Sequence, residues 1–380
     1  MPAIITDQIR VLNASNSVGG ISTTANSYYV FIGLPNATDT NSDWNTNTPA
    51  PIDNFDDHDD IYDTLISAKK INSSDVLQVI RKISWTTGTI YEMYRHDYDI
   101  NNTTPQTNSS SLYNSNFYVV NSDYRVYECI YNGADPTNSG KGLASLEEPT
   151  HTDLQPRLES DGYLWKYLYT IKPSDIVKFD SVEYVPVPTD WLESADSLDV
   201  RNAAVGGKIE TVVIENTTSA SYQFSGTKNN VPISGDGQDG LASVTFVNGK
   251  PTAVQVTNGG TGYTFGTLDL DSVVTGSGAE FSVIIPPPGG HGADINKELG
   301  ANKVLVYSRI ENSDTTNPDF PTGNQFARIG IIKNPQVTGT TNLLTSASAS
   351  AVYGLRLTGI AASTMSASID GQITQTIGIG

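Results

Sequence analysis

The sequence predicts a mainly β chain: an antiparallel β-sandwich-like core with a few short helices and an inserted small β-domain. Aromatic and apolar residues alternate with the period of a strand in two runs between Tyr124 and Ile171. An Asn248-Gly249 pair lies between two alternating runs, which is the strongest short-range signal for a β-hairpin. Charged residues make up only 17% of the chain. Together with abundant Ser, Thr, Asn and Gly, this composition is typical of β-rich proteins with many turns.

The first predicted elements are one strand and two helices. Residues 28–34, YYVFIGL, form a strongly apolar strand. In residues 60–71, DIYDTLISAKKI, apolar residues recur at spacings of four and three, which predicts a helix. A second short helix is predicted from Ser74, which can cap DVLQVIRKI, although Val79 to Trp85 could instead enter a strand. We expect these two to be the main helices of the chain.

Three aromatic-rich runs follow: YRVYECIY from Tyr124, DGYLWKYLYTI from Asp161, and YVPVP from Tyr184. Both faces of the first predicted strand carry aromatic side chains, and most of the aromatics in the second share one face. A strand that is apolar on both faces is usually covered on both, by the same chain or by a neighbour. The runs therefore predict a sheet that is buried either in an internal core or in an assembly.

The composition changes near residue 207, where short β runs begin to alternate with glycine turns. We predict that residues 1–206 form the first part of a β-rich core domain and that residues 207–286 form the inserted small β-domain. Residues 287–380 return to the core domain and end in a C-terminal β segment. The return is predicted to contain a short helix, a strand in VLVYSRI and another strand in FARIGIIKNP.

Charge and patterning exclude several classes of partner. The chain has 22 basic and 41 acidic residues, a formal charge of −19. Nucleic acid is therefore not expected as a partner, since phosphate contacts need clustered Lys and Arg. No run approaches the roughly 20 apolar residues that cross a bilayer. Asp7 and Arg10 interrupt the apolar stretch that a signal peptide needs, and Cys129 is the single cysteine. We expect a protein that has no membrane partner and is assembled in a cytoplasm.

Two acidic motifs could hold Ca²⁺, and neither has the required pattern. The cluster between Asp53 and Asp60 lacks EF-hand spacing and predicts a solvated loop that leads into a helix. The motif GDGQDGL at 235–241 resembles half of a Ca²⁺-binding β-roll repeat, but it has no second copy and predicts a tight turn. The four histidines lie in no metal-binding spacing. No metal, other cofactor or small-molecule substrate is predicted.

Catalytic motifs are also missing from the sequence. It has no G-x-S-x-G elbow and no phosphate-binding loop. Acidic residues do cluster in one aromatic-flanked region, and two carboxylates can hydrolyse glycosides if they face each other across a cleft. The candidates for such a pair are Glu147, Glu148, Asp153, Glu159 and Asp161. We predict that the chain is not an enzyme, and a glycosidase is the enzymatic alternative.

Four motifs in order, YRVYECI, DGYLWKYLYTI, YVPVP and FPTGNQFARIGIIKNP, carry a resemblance to a known family. They resemble the baseplate wedge protein of T-even-like contractile-tailed phages, the subunit present in two copies per wedge, in its cyanophage-type version. The resemblance covers residues 1–206 and 287–340. It implies a structural protein of the virion, located in the tail baseplate, that forms a homodimer and bridges neighbouring wedge proteins.

Aromatic side chains on the sheet faces are the predicted interface material, because Tyr and Trp bury large areas at low entropic cost. His291 is a further candidate, since the Gly- and Pro-rich sequence around it suits a constrained interface loop as well as a plain surface loop. The aromatic candidates, some of them expected in the internal core instead, are Tyr127, Tyr131, Tyr163, Trp165, Tyr167 and Tyr169.

The alternative function is a receptor- or carbohydrate-binding tail module. The glycine-rich β segment, the tyrosine content and the acidity of the chain support it. It predicts a trimer and glycan binding, whereas a wedge subunit is expected to form a dimer and to bind other tail proteins.

Overall fold

The computed structural model confirms a mainly β chain with antiparallel sheets, in which strand accounts for 37% and helix for 16%. No helix in the part of the chain that the structure describes is long and apolar enough to span a membrane. The described residues are 6–23, 25–33, 65–138, 140–189, 195–270, 272–309, 328–335, 341, 351–352, 364–369 and 372–378.

The helices of the described residues are α1 Asp7–Ser22, α2 Pro173–Phe179, α3 Ala195–Asn202 and α4 Ile295–Glu298. The strands before residue 200 are β1 Tyr28–Gly33, β2 Leu65–Lys70, β3 Val76–Arg81, β4 Tyr118–Val120, β5 Arg125–Tyr131, β6 Arg157–Leu158, β7 Leu164–Thr170 and β8 Tyr184–Pro186. The next strands are β9 Val212–Asn216, β10 Ser221–Tyr222, β11 Gly226–Gly235, β12 Gln238–Val247, β13 Lys250–Thr261, β14 Gly266–Leu268, β15 Gly276–Ser277 and β16 Glu280–Val283. The last strands are β17 Lys303–Val306, β18 Arg328–Lys333, β19 Ala351–Val352, β20 Thr364–Ile369 and β21 Gln372–Gly378.

The chain divides into two compact units. The first unit comprises Met1–Leu12 and Gln78–Lys303, and the second comprises Asn13–Leu77 and Val304–Gly380. The segment 207–286 lies within the first unit. Its independence as an inserted domain stays a prediction, as do the other two segment boundaries.

The second unit contains an antiparallel sheet with the strand order β18-β1-β2-β19. The predicted strand at 28–34 is β1, and the strand predicted in FARIGIIKNP is β18; the two pair from Tyr28 to Gly33. Val30, Ile71 and Val76 form a buried apolar cluster in this unit. Residues 29–32 of β1 are all buried, so both faces of this strand are covered.

The first unit contains an antiparallel sheet with the order β4-β5-β7-β6, which we call the aromatic sheet. In both β5 and β7, five consecutive residues are buried between partly exposed ends. The rings of Tyr163 and Trp165 stack with their centroids 5.3 Å apart. Because both faces of the two central strands are covered, the aromatic runs form an internal core of the chain.

Within residues 209–285, strands β11 to β14 form a further four-stranded antiparallel sheet with the order β13-β12-β11-β14, which we call the sheet of residues 209–285. Asn248 and Gly249 have φ angles of 52° and 76°, so the predicted hairpin turns through two residues in the left-handed region. GDGQDGL forms the predicted tight turn, since Asp236 and Gly237 alone separate β11 from β12. Two apolar clusters, one centred on Phe246 and the other on Tyr263, are drawn entirely from this segment.

Both helices predicted near the N-terminal half are wrong where the structure describes them. Leu65–Lys70, in the first predicted helix, is strand β2, while residues 60–64 lie outside the described residues. The second is a 3₁₀ turn, Ser73–Asp75, followed by strand β3 with five consecutive buried residues. A fully buried run satisfies helical spacing as well as strand spacing, and pairing with β8 decides in favour of the strand. The alternative prediction, a strand that includes Val79, is therefore correct for residues 79–81.

Three helices, α1, α2 and α3, were not predicted from the sequence. The 16-residue α1 is mostly polar and gives no clear apolar stripe, while α2 begins with Pro173 at its first position. In the return segment, the predicted short helix is α4 and the predicted strand is β17. The acidic cluster at 53–60 lies outside the described residues, as do residues 353–363 of the predicted C-terminal β segment.

Candidate functional site

The candidate site is a buried cluster of three ionisable side chains: Glu128, His291 and Glu298. Glu128 lies in the middle of β5, and Glu298 is the last residue of α4. His291 lies in the Pro- and Gly-rich loop before that helix. The three residues are 0%, 6% and 3% exposed, respectively. Their ligand atoms lie within 4.8 Å of one another, and no other group of this kind occurs among the described residues.

One imidazole nitrogen connects the two carboxylates. His291 Nδ1 lies 2.8 Å from Glu128 Oε2 and also 2.8 Å from Glu298 Oε1. The second oxygen of Glu298 accepts a hydrogen bond of 2.7 Å from the backbone N–H of Gly292. The ring of Tyr94 packs edge-on against the imidazole with a centroid distance of 4.8 Å. These contacts fix the orientation of the imidazole and of Glu298.

The pKa values of the cluster reflect burial and mutual charge. Burial raises the pKa of Glu128 to about 8, and the nearby negative charge of Glu298 adds to the shift. Burial disfavours the charged form of His291, but Glu128 and Glu298 outweigh that effect and raise the pKa of the ring to about 10. Burial is thus the main cause of the Glu128 shift, whereas the two carboxylates cause the His291 shift.

Lys166 is the cross-strand neighbour of Glu128 in the β5–β7 pair. Its ammonium group donates to the backbone carbonyl of Leu154 instead of to either carboxylate. Burial lowers the pKa of Lys166. Among the described residues, His291 is therefore the one cation that lies within ion-pair distance of Glu128 and Glu298.

A cavity of about 650 Å³ lies beside the cluster. Its wall includes Glu298, which belongs to the cluster, and Tyr94, which packs against His291. Further wall residues include Tyr98, Tyr113 and Pro287. The cavity thus provides space next to Glu298, one of the three residues of the cluster.

The structure places five of the predicted aromatic interface residues in the chain's own core. Tyr131 is partly buried and packs against that core. The remaining five, at most 2% exposed, are Tyr127, Tyr163, Trp165, Tyr167 and Tyr169. The chain alone buries these five side chains, so they are not exposed for contact with another chain. Their role at an interface stays a prediction. His291 is likewise buried, so its loop is constrained by internal contacts.

Two of the carboxylates considered for glycoside hydrolysis, Asp161 and Glu148, accept hydrogen bonds from backbone N–H groups. Asp161 Oδ2 accepts hydrogen bonds from the backbone N–H groups of Leu146 at 2.8 Å and Glu147 at 3.0 Å. Glu148 accepts one from the N–H of Ser122 at 2.7 Å. Each of these contacts stabilises a backbone conformation, which gives these two carboxylates a structural task.

Comparison with protein-family models and with curated proteins finds no match for the chain. The sequence indicates His291 as a candidate through its unusual Gly- and Pro-rich surroundings. The two glutamates gave no signal, because Glu128 is 163 positions from His291 and Glu298 belongs to a four-residue helix.

Proposed function

We propose that the chain is a structural subunit of a contractile-tail baseplate wedge, where it pairs with itself and bridges neighbouring wedge proteins. The ordered motifs that resemble the wedge family motivate the proposal. The observation that carries it is an exposed set of leucines on one structured segment, residues 143–158. Such apolar exposure on an ordered surface is typical of protein–protein contact sites.

We refer to residues 143–158 as the leucine segment. Leu146 and Leu158 are 63% and 60% exposed, and Leu143 and Leu154 are 50% and 39% exposed. The segment ends in β6, the edge strand of the aromatic sheet, beside β7. An edge strand with exposed apolar side chains is a natural place for a second chain to pack.

Hydrogen bonds from the sheet hold the leucine segment in one conformation. Arg125 donates to the carbonyl of Thr150 at 2.6 Å, and the hydroxyl of Tyr127 donates to the carbonyl of His151 at 2.6 Å. Asp161 also accepts a hydrogen bond from the backbone N–H of Leu146. A surface that is already ordered loses little conformational entropy on binding, which favours association.

The charges near the leucine segment suit contact with a second copy. Arg157, with a side chain 54% exposed, lies 3.6 Å from Asp153 and 3.7 Å from Glu159. Both signs of charge are thus present on one surface, so a copy related by a two-fold axis can pair each sign with its opposite. We infer a homodimer as the building block. The wedge role adds contacts with other baseplate proteins and a location in the virion tail, and it needs no enzymatic activity, nucleic acid, membrane or small-molecule substrate.

Solution mass by size-exclusion chromatography with light scattering tests the proposal. We expect a mass of twice the 40.7 kDa of one chain. The double variant Leu146→Asp, Leu158→Asp is expected to be monomeric and to lose co-purification with other baseplate proteins, because a buried unpaired carboxylate is strongly unfavourable at an interface.

The matched control is Val177→Asp, Val182→Asp, which changes two apolar residues that are 81% and 94% exposed elsewhere on the same unit. It should remain a dimer. Equal loss of pairing in both double variants would assign the effect to charge alone and contradict a role for the leucine segment. A mass near three chains together with glycan binding would favour the receptor- or carbohydrate-binding alternative.

A further inference from the structure

We propose that Glu128, His291 and Glu298 form a buried binding site for one divalent transition-metal ion of the Zn²⁺ class. The inference does not depend on the wedge function, because it rests on the ligand set, its burial and its charge. The ion would join β5 to the loop and helix through which the chain returns after residue 286.

The ligand types fit such an ion. Neutral imidazole nitrogen and carboxylate oxygen are ordinary ligands of Zn²⁺, and the nitrogen favours a transition metal over Ca²⁺ or Mg²⁺, which prefer oxygen. His291 Nδ1 is 2.8 Å from one oxygen of each glutamate. Tetrahedral bonds of roughly 2.0–2.2 Å place ligand atoms about 3.4 Å apart, so a displacement of about half an ångström between ligands admits the ion.

One buried atom of the cluster points to a missing cation. Glu128 Oε1 is buried and has no hydrogen-bond partner, although its residue is 0% exposed. A buried acceptor without a donor is expensive, and a metal ion would supply the missing partner. A divalent cation bound by two carboxylates and a neutral imidazole would also give the cluster a net charge of zero, which would offset the cost of burying the two glutamates together.

The surroundings provide the other features that a metal site needs. The N–H of Gly292 holds Glu298 Oε2 at 2.7 Å, and the ring of Tyr94 packs against His291, so groups outside the ligand set orient two of the three ligands. The cavity of about 650 Å³ reaches Glu298 and offers both an entry path and room for a water ligand.

Metal content and thermal stability of the full chain test the site directly. The protein is prepared without a polyhistidine tag, stripped with EDTA, supplied with ZnCl₂ and dialysed against metal-free buffer. We expect close to one zinc per chain by mass spectrometry and a melting temperature that rises with zinc concentration, since a ligand that binds only the folded state stabilises it. X-ray absorption should report a nitrogen- and oxygen-only ligand shell.

Variants locate the ion. Glu128→Gln and Glu298→Gln should each weaken zinc binding by more than about 100-fold, because even the outer partners of metal ligands are worth about 10- to 100-fold in affinity. Glu92→Gln is the matched control, since it also changes a buried glutamate, 1% exposed, and leaves the three ligands intact. It should bind zinc as the wild type does.

Either of two results would overturn the proposal. The first is wild-type protein that retains less than about one tenth of an equivalent of zinc and melts at the same temperature with and without the ion. The second is zinc that stays bound in both glutamine variants, which would place the ion elsewhere. The zinc content and melting temperature of the wild-type protein test the proposal even if a glutamine variant does not fold.

Discussion

The aromatic sheet and the sheet of residues 209–285 are both four-stranded and antiparallel, yet they bury their side chains differently. Strands β5 and β7 have five consecutive buried residues each. In β12, from Gly240 to Phe246, buried residues alternate with partly exposed ones. The first sheet is therefore covered on both faces, and the second has one covered face.

The difference determines where stability is concentrated. The aromatic sheet contributes Trp165 and several tyrosines to a cluster that extends across the first unit. The sheet of residues 209–285 relies on two smaller clusters, in one of which Val231, Val244 and Phe246 are the most buried members. Because apolar burial scales with area removed from water, a truncation in the first sheet is expected to have the larger effect.

The largest expected effect is that of Trp165→Ala. The indole is 0% exposed and its Nε1 has no hydrogen-bond partner, so the loss is one of packing alone. We expect the free energy of unfolding to fall by about 3–5 kcal/mol, measured by urea denaturation. Val182→Ala, at a residue 94% exposed outside the leucine segment, is the control and should change stability by less than about 0.5 kcal/mol. Similar losses for the two variants would contradict the assignment of Trp165 to the core.

A pair of tyrosines compares the two sheets directly. The hydroxyl of Tyr163 donates to the carbonyl of Leu143 at 2.6 Å and accepts from the N–H of Tyr91 at 3.0 Å. The hydroxyl of Tyr263 donates to the carbonyl of Ile233 at 2.8 Å and accepts from the N–H of Gly240 at 3.0 Å. Each Tyr→Phe change leaves two backbone groups unpaired and is expected to lower stability by about 1–3 kcal/mol.

Calorimetry of Tyr163→Phe and Tyr263→Phe also tests the predicted inserted domain. If residues 207–286 fold independently, the wild type shows two thermal transitions, and each variant lowers one of them. A single transition that both variants shift together would instead join the segment to the rest of the first unit.

The difference between the sheets also explains what the sequence could predict. Alternation in the second sheet, with Asn248-Gly249 between its strands, predicts a hairpin that the structure confirms. In β3, by contrast, five consecutive buried residues carry no period of two. A helix and a strand fit such a run equally well, and the pairing that decides between them involves residues more than a hundred positions away.

The buried cluster was beyond sequence reasoning for the same reason. Only His291 stood out, because of its Gly- and Pro-rich loop. Glu128 occupies a strand position where a charged residue would ordinarily face solvent. Its burial follows from cover on both faces of β5, which no local pattern reveals. The aromatic runs predicted a buried sheet, but local sequence did not distinguish an internal core from an interface.

The hairpin turn gives a smaller effect. Gly249 has a φ of 76°, and a Cβ atom there would lie 2.5 Å from the backbone oxygen of Tyr222. Gly249→Ala is expected to cost about 2 kcal/mol, from the left-handed backbone and the steric overlap together. Gly262→Ala is the control, since its φ is 78° and nothing lies within 4 Å of the added atom. It should cost about 1 kcal/mol, and an equal loss in both would contradict the close contact with Tyr222.

The smallest expected effect is a pH dependence in the sheet of residues 209–285. Asp236 accepts hydrogen bonds from the hydroxyl and N–H of Thr264 and from the N–H of Phe265, and these lower its pKa from 3.8 to about 2. A carboxylate whose pKa is depressed by folding stabilises the fold above its ordinary pKa and loses that contribution as the pH falls from about 4 to 2. The stability difference between wild type and Asp236→Ala should therefore shrink over that interval. A carboxyl titration by NMR with a midpoint near 3.8 would show that the three hydrogen bonds do not persist in solution.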